Sequence, residues 1–212
     1  MHLHLVFAFF APECEFRGCG RQGGHGIIRE KGVGYVRLFV AIELTGPVRD
    51  ALWAGVRPLE SIWIRGRLLP RESYHITLAF LGEQPEERLE DLRAILDGCR
   101  CPPFRAAVGD LGLFDRRSGG VLWRQVRSPA LYDLQIRLAR GLAGAGFVVP
   151  DRPFQPHITL ARRVVLPPGT RPDQLDIPQD HLSFPVEALA LMRSRLTPQG
   201  ASYQRLYQSP LD

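Results

Sequence analysis

The tetrapeptide His-Ile-Thr-Leu occurs twice, at 75–78 and at 157–160, 82 positions apart. Each copy sits in a run with strand character, and side chains alternate along a strand. His75 and Thr77 therefore share one face, as do His157 and Thr159, with Cα atoms about 6.5–7 Å apart within each pair. Ile76, Leu78, Ile158 and Leu160 point the other way, into core. Two such strands facing each other would present two imidazoles and two hydroxyls to a single anion. The hydroxyls can donate to phosphate oxygens. One neutral histidine can take a proton from attacking water while the other, protonated, gives one to the departing oxygen. Histidine is the side chain whose ordinary pKa permits both roles near neutrality. The expected chemistry is displacement at a phosphoester by acid and base.

Other chemistries lack their residues. Zinc normally needs a third protein ligand, and neither an H-E-x-x-H helix nor an acidic cluster offers one, so no metal and no cofactor are expected. There is no G-x-S-x-G and no Walker or dinucleotide-binding glycine motif. Beyond residue 35 the histidines are His75, His157 and His181. His181 has no motif around it and is expected at the surface.

The elements that must carry these residues can be read from periodicity. Strands are expected at Val36–Leu44, Ser73–Gly82, Phe104–Phe114, Gly120–Val126, His157–Val165, Phe184–Ser194 and Tyr203–Gln208. Helices are expected at 46–62, with Pro47 in the first turn, at Pro85–Gly98, and at Pro129–Ala145, closed by Gly144 and Gly146. Pro167–Pro178 reads as a loop. The order gives an α+β domain with helices covering sheets. Each half contains a motif strand near a helix, so an internal duplication would build two lobes around one cleft.

The chain has 212 residues, 45% of them hydrophobic, and a formal charge of +5. Lys31 is its one lysine; the remaining positive charge is arginine, which forms bidentate contacts with phosphate and suits an anionic ligand such as RNA. No apolar run approaches the roughly 20 residues of a spanning helix, so no membrane association is expected. Cys14, Cys19, Cys99 and Cys101 have no metal-site spacing and read as reduced thiols of a cytoplasmic protein. Residues 1–35 are Gly-rich and without period. They read as a disordered extension or a mis-assigned start, with the natural start near Val36 and a single two-lobed domain at 36–212; no function is placed in His2, His4 or His25.

Four segments resemble the 2H phosphoesterase superfamily, most closely its bacterial RNA 2′,3′-cyclic phosphodiesterases, historically called 2′–5′ RNA ligases. They are Arg37-Leu-Phe-Val-Ala-Ile-Glu-Leu44, His75-Ile-Thr-Leu-Ala-Phe-Leu-Gly82, Phe154-Gln-Pro-His-Ile-Thr-Leu-Ala-Arg162 and Ser194-Arg-Leu-Thr-Pro-Gln-Gly-Ala-Ser-Tyr203. Departures are Val36, where that family usually has Met, and Gln155, where an arginine is common. The resemblance implies a bilobal fold, two pseudo-symmetric sheet-plus-helix lobes around a central cleft. It implies opening of a 2′,3′-cyclic phosphate to a 2′-phosphate. His75 would then be the proton donor to the 3′ oxygen, His157 the acceptor that activates water, and Thr77 and Thr159 the holders of the phosphate oxygens. Arg162 matches an arginine used near the phosphate, although strict alternation puts it opposite His157, so a bulge or strand end must turn it inward. Phe39 could stack on a base. The implied partner is RNA with a 2′,3′-cyclic phosphate end, with no obligate protein partner and a monomer as default. Rival readings are 2′–5′ RNA ligation by the reverse chemistry, an RNA-end binding module without turnover, and hydrolysis of some other cyclic phosphate.

Overall fold

The computed structural model describes residues 34–149, 152–175, 182–197 and 200–212. The expectations for residues 1–33 and for His181 lie outside them. Nine strands are described: β1 (Tyr35–Glu43), β2 (Arg65–Leu68), β3 (His75–Pro85), β4 (Phe104–Phe114), β5 (Gly120–Arg127), β6 (His157–Val165), β7 (Ser183–Val186), β8 (Ala188–Thr197) and β9 (Gly200–Pro210). Three α-helices accompany them: α1 (Gly46–Val56), α2 (Leu89–Asp97) and α3 (Pro129–Gly144).

The strands run in the order β7-β4-β5-β6-β3-β1-β8-β9, with β2 beside β6. Every pairing is antiparallel, and the two motif strands meet at the centre through a single residue pair, Ile76 opposite Ile158. That junction divides the eight strands of this path into two halves of four, with β2 added to the half that holds β6. In each half the motif strand pairs with the strand that precedes the helix: β1, α1, β3 in the first and β5, α3, β6 in the second. The duplication expected from the tetrapeptides is thus visible in topology. Beyond the junction β3 and β6 part, and β2 takes the free edge of β6, pairing Arg67 with Arg162 and Leu68 with Ala161.

The helices form because their apolar residues repeat on one face. Val48, Leu52 and Val56 of α1, Leu92 and Leu96 of α2, and Leu131, Leu134, Leu138 and Leu142 of α3 are buried, at the three-to-four spacing of an amphipathic helix. Helix α1 reaches β6 and α3 reaches β3, so each packs under the other half's motif strand, while α2 lies against α3, β8 and β9. Ile76 and Ile158, both 0% exposed, belong to this same core. The face of the sheet opposite the helices is left to the histidines.

Four expectations need correction. The helix expected over 46–62 ends at Val56 and continues as a 3-10 turn over Arg57–Ser61, because Pro58 lacks the N–H that would extend the α ladder. The helix expected from Pro85 begins with a 3-10 turn at Glu86–Arg88 and is α-helical only from Leu89. Strand β3 does not stop at Gly82: that residue takes φ 70 and the strand runs on to Pro85. The strand expected over Phe184–Ser194 is two strands, since Glu187 separates β7, which pairs with β4, from β8, which pairs with β1.

Candidate active site

Antiparallel register about the Ile76–Ile158 pair puts His75 on the side of Thr159 and Thr77 on the side of His157. All four side chains lie on the face away from the helices, and each is partly exposed. The structure thus brings together the four residues singled out in the sequence.

Both imidazoles are held in the same way. His75 Nδ1 lies 2.7 Å from the carbonyl oxygen of Ser73, and His157 Nδ1 lies 2.7 Å from that of Gln155. A carbonyl only accepts, so Nδ1 carries the proton in each neutral ring and Nε2 keeps its lone pair. His75 Nε2 sits 3.1 Å from the Thr77 hydroxyl, which donates to it in the neutral state. Gln155 therefore acts on His157 through its backbone.

Each ring also has aromatic walls. His75 lies 5.0 Å from Phe39 and 5.0 Å from Tyr203, centroid to centroid. His157 lies 5.1 Å from Phe114 and 6.0 Å from Trp123. Phe114 and Trp123 stack on each other at 4.8 Å. Gly112 permits that stack: a Cβ there would run into the Trp123 ring. The walls limit rotation of the imidazoles and strip water from them. Burial is accordingly the main reason that both titrate below the ordinary histidine value. His75 is pushed down to about 4, with the charges of His157 and Arg162 adding to burial against the Ser73 carbonyl. His157 is pushed in the same direction, by burial and then by Arg152 and Arg162, against the Gln155 carbonyl. Both imidazoles are neutral at pH 7 while the cleft is empty of anions.

Arg162 reaches this face through a bulge. Thr159 pairs with Trp123 and Ala161 with Leu122, leaving Leu160 as an extra residue. Leu160 and Ala161 are consequently both buried, alternation resets, and Arg162 joins the side of Thr159. Its charge bears on both histidines. The first half repeats the device: Thr77 pairs with Ala41 and Ala79 with Val40, with Leu78 extra. There the reset residue is Phe80, 51% exposed and 6.2 Å from Phe39.

Phe39 itself is only 2% exposed. It belongs to a small apolar layer with Ala41, Ala190 and Met192, against which Tyr203 packs. The expectation that it stacks on a base is corrected, because its ring surface is spent on His75 and this layer. Phe80 and Tyr203 carry ring surface where Phe39 does not. Phe114, Trp123 and Phe80 were missed in the sequence. Phe80 becomes visible only once the bulge is known, and the other two once β4 and β5 are placed beside β6.

Among the described residues no group of three or more His, Cys, Asp or Glu gathers as a metal site, and no helix is long and apolar enough to cross a membrane.

Comparison with known proteins bears on this geometry. The family model of the 2′-5′ RNA ligase superfamily matches residues 48–198. An RNA 2′,3′-cyclic phosphodiesterase of Thermus thermophilus is 38% identical over 185 residues, 79% of this chain and 86% of that protein. One of Escherichia coli is 35% identical over 141 residues, 62% and 77% of the two chains. The crystal structure of TT0787 of Thermus thermophilus superposes with a TM-score of 0.69 at 35% identity, covering 82% of this chain and 97% of its own. That of E. coli LigT complexed with 3′-AMP gives 0.70 at 28% identity, covering 84% and 99%. Two tetrapeptides on facing strands, a sheet in two like halves and a family match across most of the chain agree: the chain belongs to the 2′-5′ RNA ligase superfamily, the 2H phosphoesterases.

Proposed function

We propose that this protein is an RNA 2′,3′-cyclic phosphodiesterase that opens the cyclic phosphate to a 2′-phosphate by acid–base catalysis with two histidines and no metal. The observation that carries the reading is the pair of imidazoles held alike, each tethered at Nδ1 by the carbonyl two residues before it, which leaves Nε2 of each as the atom that exchanges protons. The relatives' shared activity supports the substrate class.

The reaction follows from that placement. The cyclic phosphodiester anion lies between the motif strands, its free oxygens accepting from the Thr77 and Thr159 hydroxyls and from Arg162. His157 Nε2 takes a proton from water as its oxygen attacks phosphorus. The bond to the ribose 3′ oxygen breaks opposite, and His75 Nε2–H supplies that oxygen with its proton. A 2′-phosphate and a 3′-hydroxyl result, and the two histidines exchange protonation states. An in-line attack needs donor and acceptor on opposite sides of phosphorus, and the two halves of the sheet supply one each. Each positioned proton transfer contributes about 10²–10⁴ in rate. Phe39 serves by carrying His75. A 5′-hydroxyl in place of water would give 2′–5′ ligation: its oxygen attacks phosphorus, its proton passes to His157, and the 3′ oxygen leaves with the proton of His75. Cys99 and Cys101, both free thiols, accord with a cytoplasmic enzyme.

The test is to incubate a short RNA ending in a 2′,3′-cyclic phosphate with the full chain in EDTA. Conversion to a 2′-phosphate end supports the reading. An inert protein that still binds the RNA would make it an end-binding module, and a product with a 3′-phosphate would overturn the assigned leaving group.

A further inference from the structure

We propose that Arg67, with Arg65 and the arginines of the adjoining turn and bulge, holds the phosphodiester backbone of RNA leading to the cyclic end, so that the enzyme prefers polynucleotide ends to cyclic mononucleotides. This rests on the reading above and extends the same site outward.

The first observation is a like-charge pair. Arg67 of β2 lies directly opposite Arg162 of β6. Cross-strand partners share a face, so the two guanidiniums stand side by side on it. Arg162 already bears on both histidines. Arg67 therefore stands one strand further from the reacting phosphorus, on the same face. Its guanidinium extends to the β8–β9 hairpin, where Nη2 is 3.1 Å from the position a Cβ on Gly200 would take. It thus spans from one half of the sheet to the other.

The second observation is that the basic surface continues along one track. Arg65 and Arg67 flank Gly66 on β2, with Cα atoms about 6.5–7 Å apart, a spacing comparable to that of successive phosphates in an extended strand. Arg65 Nη2 donates to the Ser118 carbonyl at 3.3 Å, which brings the turn carrying Arg116 and Arg117 against β2. Across 65–68, 115–119 and 161–165 six residues are arginine and one, Asp115, is acidic.

The third is backbone strain at an arginine. Arg163 has φ 56, the one positive φ outside glycine among the described residues. It is the extra residue where Gly120 pairs with Val164 and Val121 with Arg162, and a Cβ on Gly119 would meet its backbone at 2.8 Å. Glycine would take this conformation without steric strain. In the matching half the extra residue is Leu81, and the positive φ falls on the next residue, Gly82 at φ 70. An exposed cation kept where glycine fits better points to a use for the cation.

The experiment compares kcat/KM for a 2′,3′-cyclic mononucleotide and for a short RNA ending in the same cyclic nucleotide, over a series of salt concentrations. Wild type should favour the RNA, and only the RNA's kcat/KM should fall steeply with salt. Arg67→Ala should lower the RNA-to-mononucleotide ratio about tenfold and flatten the salt slope by about 0.7. Arg65→Ala and Arg163→Gly should each lower the ratio several-fold, and Arg67→Lys should recover part of the loss. Circular dichroism and melting temperature check folding, and Arg65→Ala decides should Arg67→Ala fail to fold. A wild type that treats both substrates alike, or a folded variant with unchanged ratio and slope, overturns the proposal. If neither substrate is hydrolysed, the phosphodiesterase reading fails. Equilibrium binding of the RNA then decides separately: a tenfold loss in Arg67→Ala supports the arginine track, and unchanged affinity overturns it.

Discussion

His75 is pushed from an ordinary 6.5 to about 4, chiefly by burial, and His157 moves the same way. At pH 7 about one His75 in a thousand is then protonated in the free enzyme, yet the proposed mechanism asks it to donate a proton. The substrate resolves this. An anion about 4 Å from the imidazole at an effective dielectric of about 20 contributes about 4 kcal/mol, or about three pKa units. That is enough to return His75 to near neutrality once the cyclic phosphate is bound. The two pH profiles must therefore differ. kcat/KM reports the free enzyme, so it should peak below pH 6.5 and fall toward tenfold per unit above that. kcat reports the complex and should peak at higher pH by up to about three units. The apparent values belong to the pair of histidines rather than to either one. The assay is steady-state kinetics on a cyclic mononucleotide from pH 4 to 9 at fixed ionic strength. A kcat/KM that stays level up to pH 8, or profiles of kcat and kcat/KM that coincide, would refute the burial argument.

Three further outcomes follow from the same geometry. Between pH 6.5 and about 4 the unfolded chain binds a proton at His75 that the folded chain refuses, so stability falls as pH falls through that window, by about 3 kcal/mol in total. The difference in urea midpoint between pH 7 and pH 4 should shrink in His75→Asn, and an equal difference in both proteins would count against this. Arg163→Gly removes a left-handed strain of roughly 1–2 kcal/mol and loses about 0.4–1 kcal/mol to the freer unfolded chain. The net gain of about 0.8 kcal/mol should raise its melting temperature by about 2–3 °C; a fall would show that the side chain's contacts outweigh the strain. Thr159→Val keeps shape and removes a donor to the phosphate, so kcat/KM should drop about tenfold with the melting temperature little changed. Full activity in that variant would remove Thr159 from the site.

How much of this was legible in the sequence depends on which interactions are local. The motif strands could be placed because His-Ile-Thr-Leu alternates polar with apolar, and β6 was bounded to the residue. The helices could be placed because leucines repeat at helical spacing, although Pro58 ended α1 early. Strand β2 escaped because Arg65-Gly-Arg-Leu68 has no β-branched or aromatic residue and owes its form to pairing with β6. The split at Glu187 escaped because a continuous apolar period cannot reveal that its two parts pair with strands at different places in the sheet. At the site, the four motif residues and the need for a bulge before Arg162 could be inferred. The bulge's counterpart at Leu78 could not, nor the exposure of Phe80 and the burial of Phe39, since these depend on register between distant strands.

The central claim is that His75 and His157 act as one unit on one phosphorus atom. The most direct measurement is the single-turnover rate on cyclic-ended RNA, in EDTA, for wild type, His75→Ala, His157→Ala and the double variant. The account predicts that each single variant loses about 10²–10⁴-fold and that the double is scarcely slower than the worse single, as for residues that work together. One single variant near the wild-type rate, or losses that multiply in the double, would contradict it.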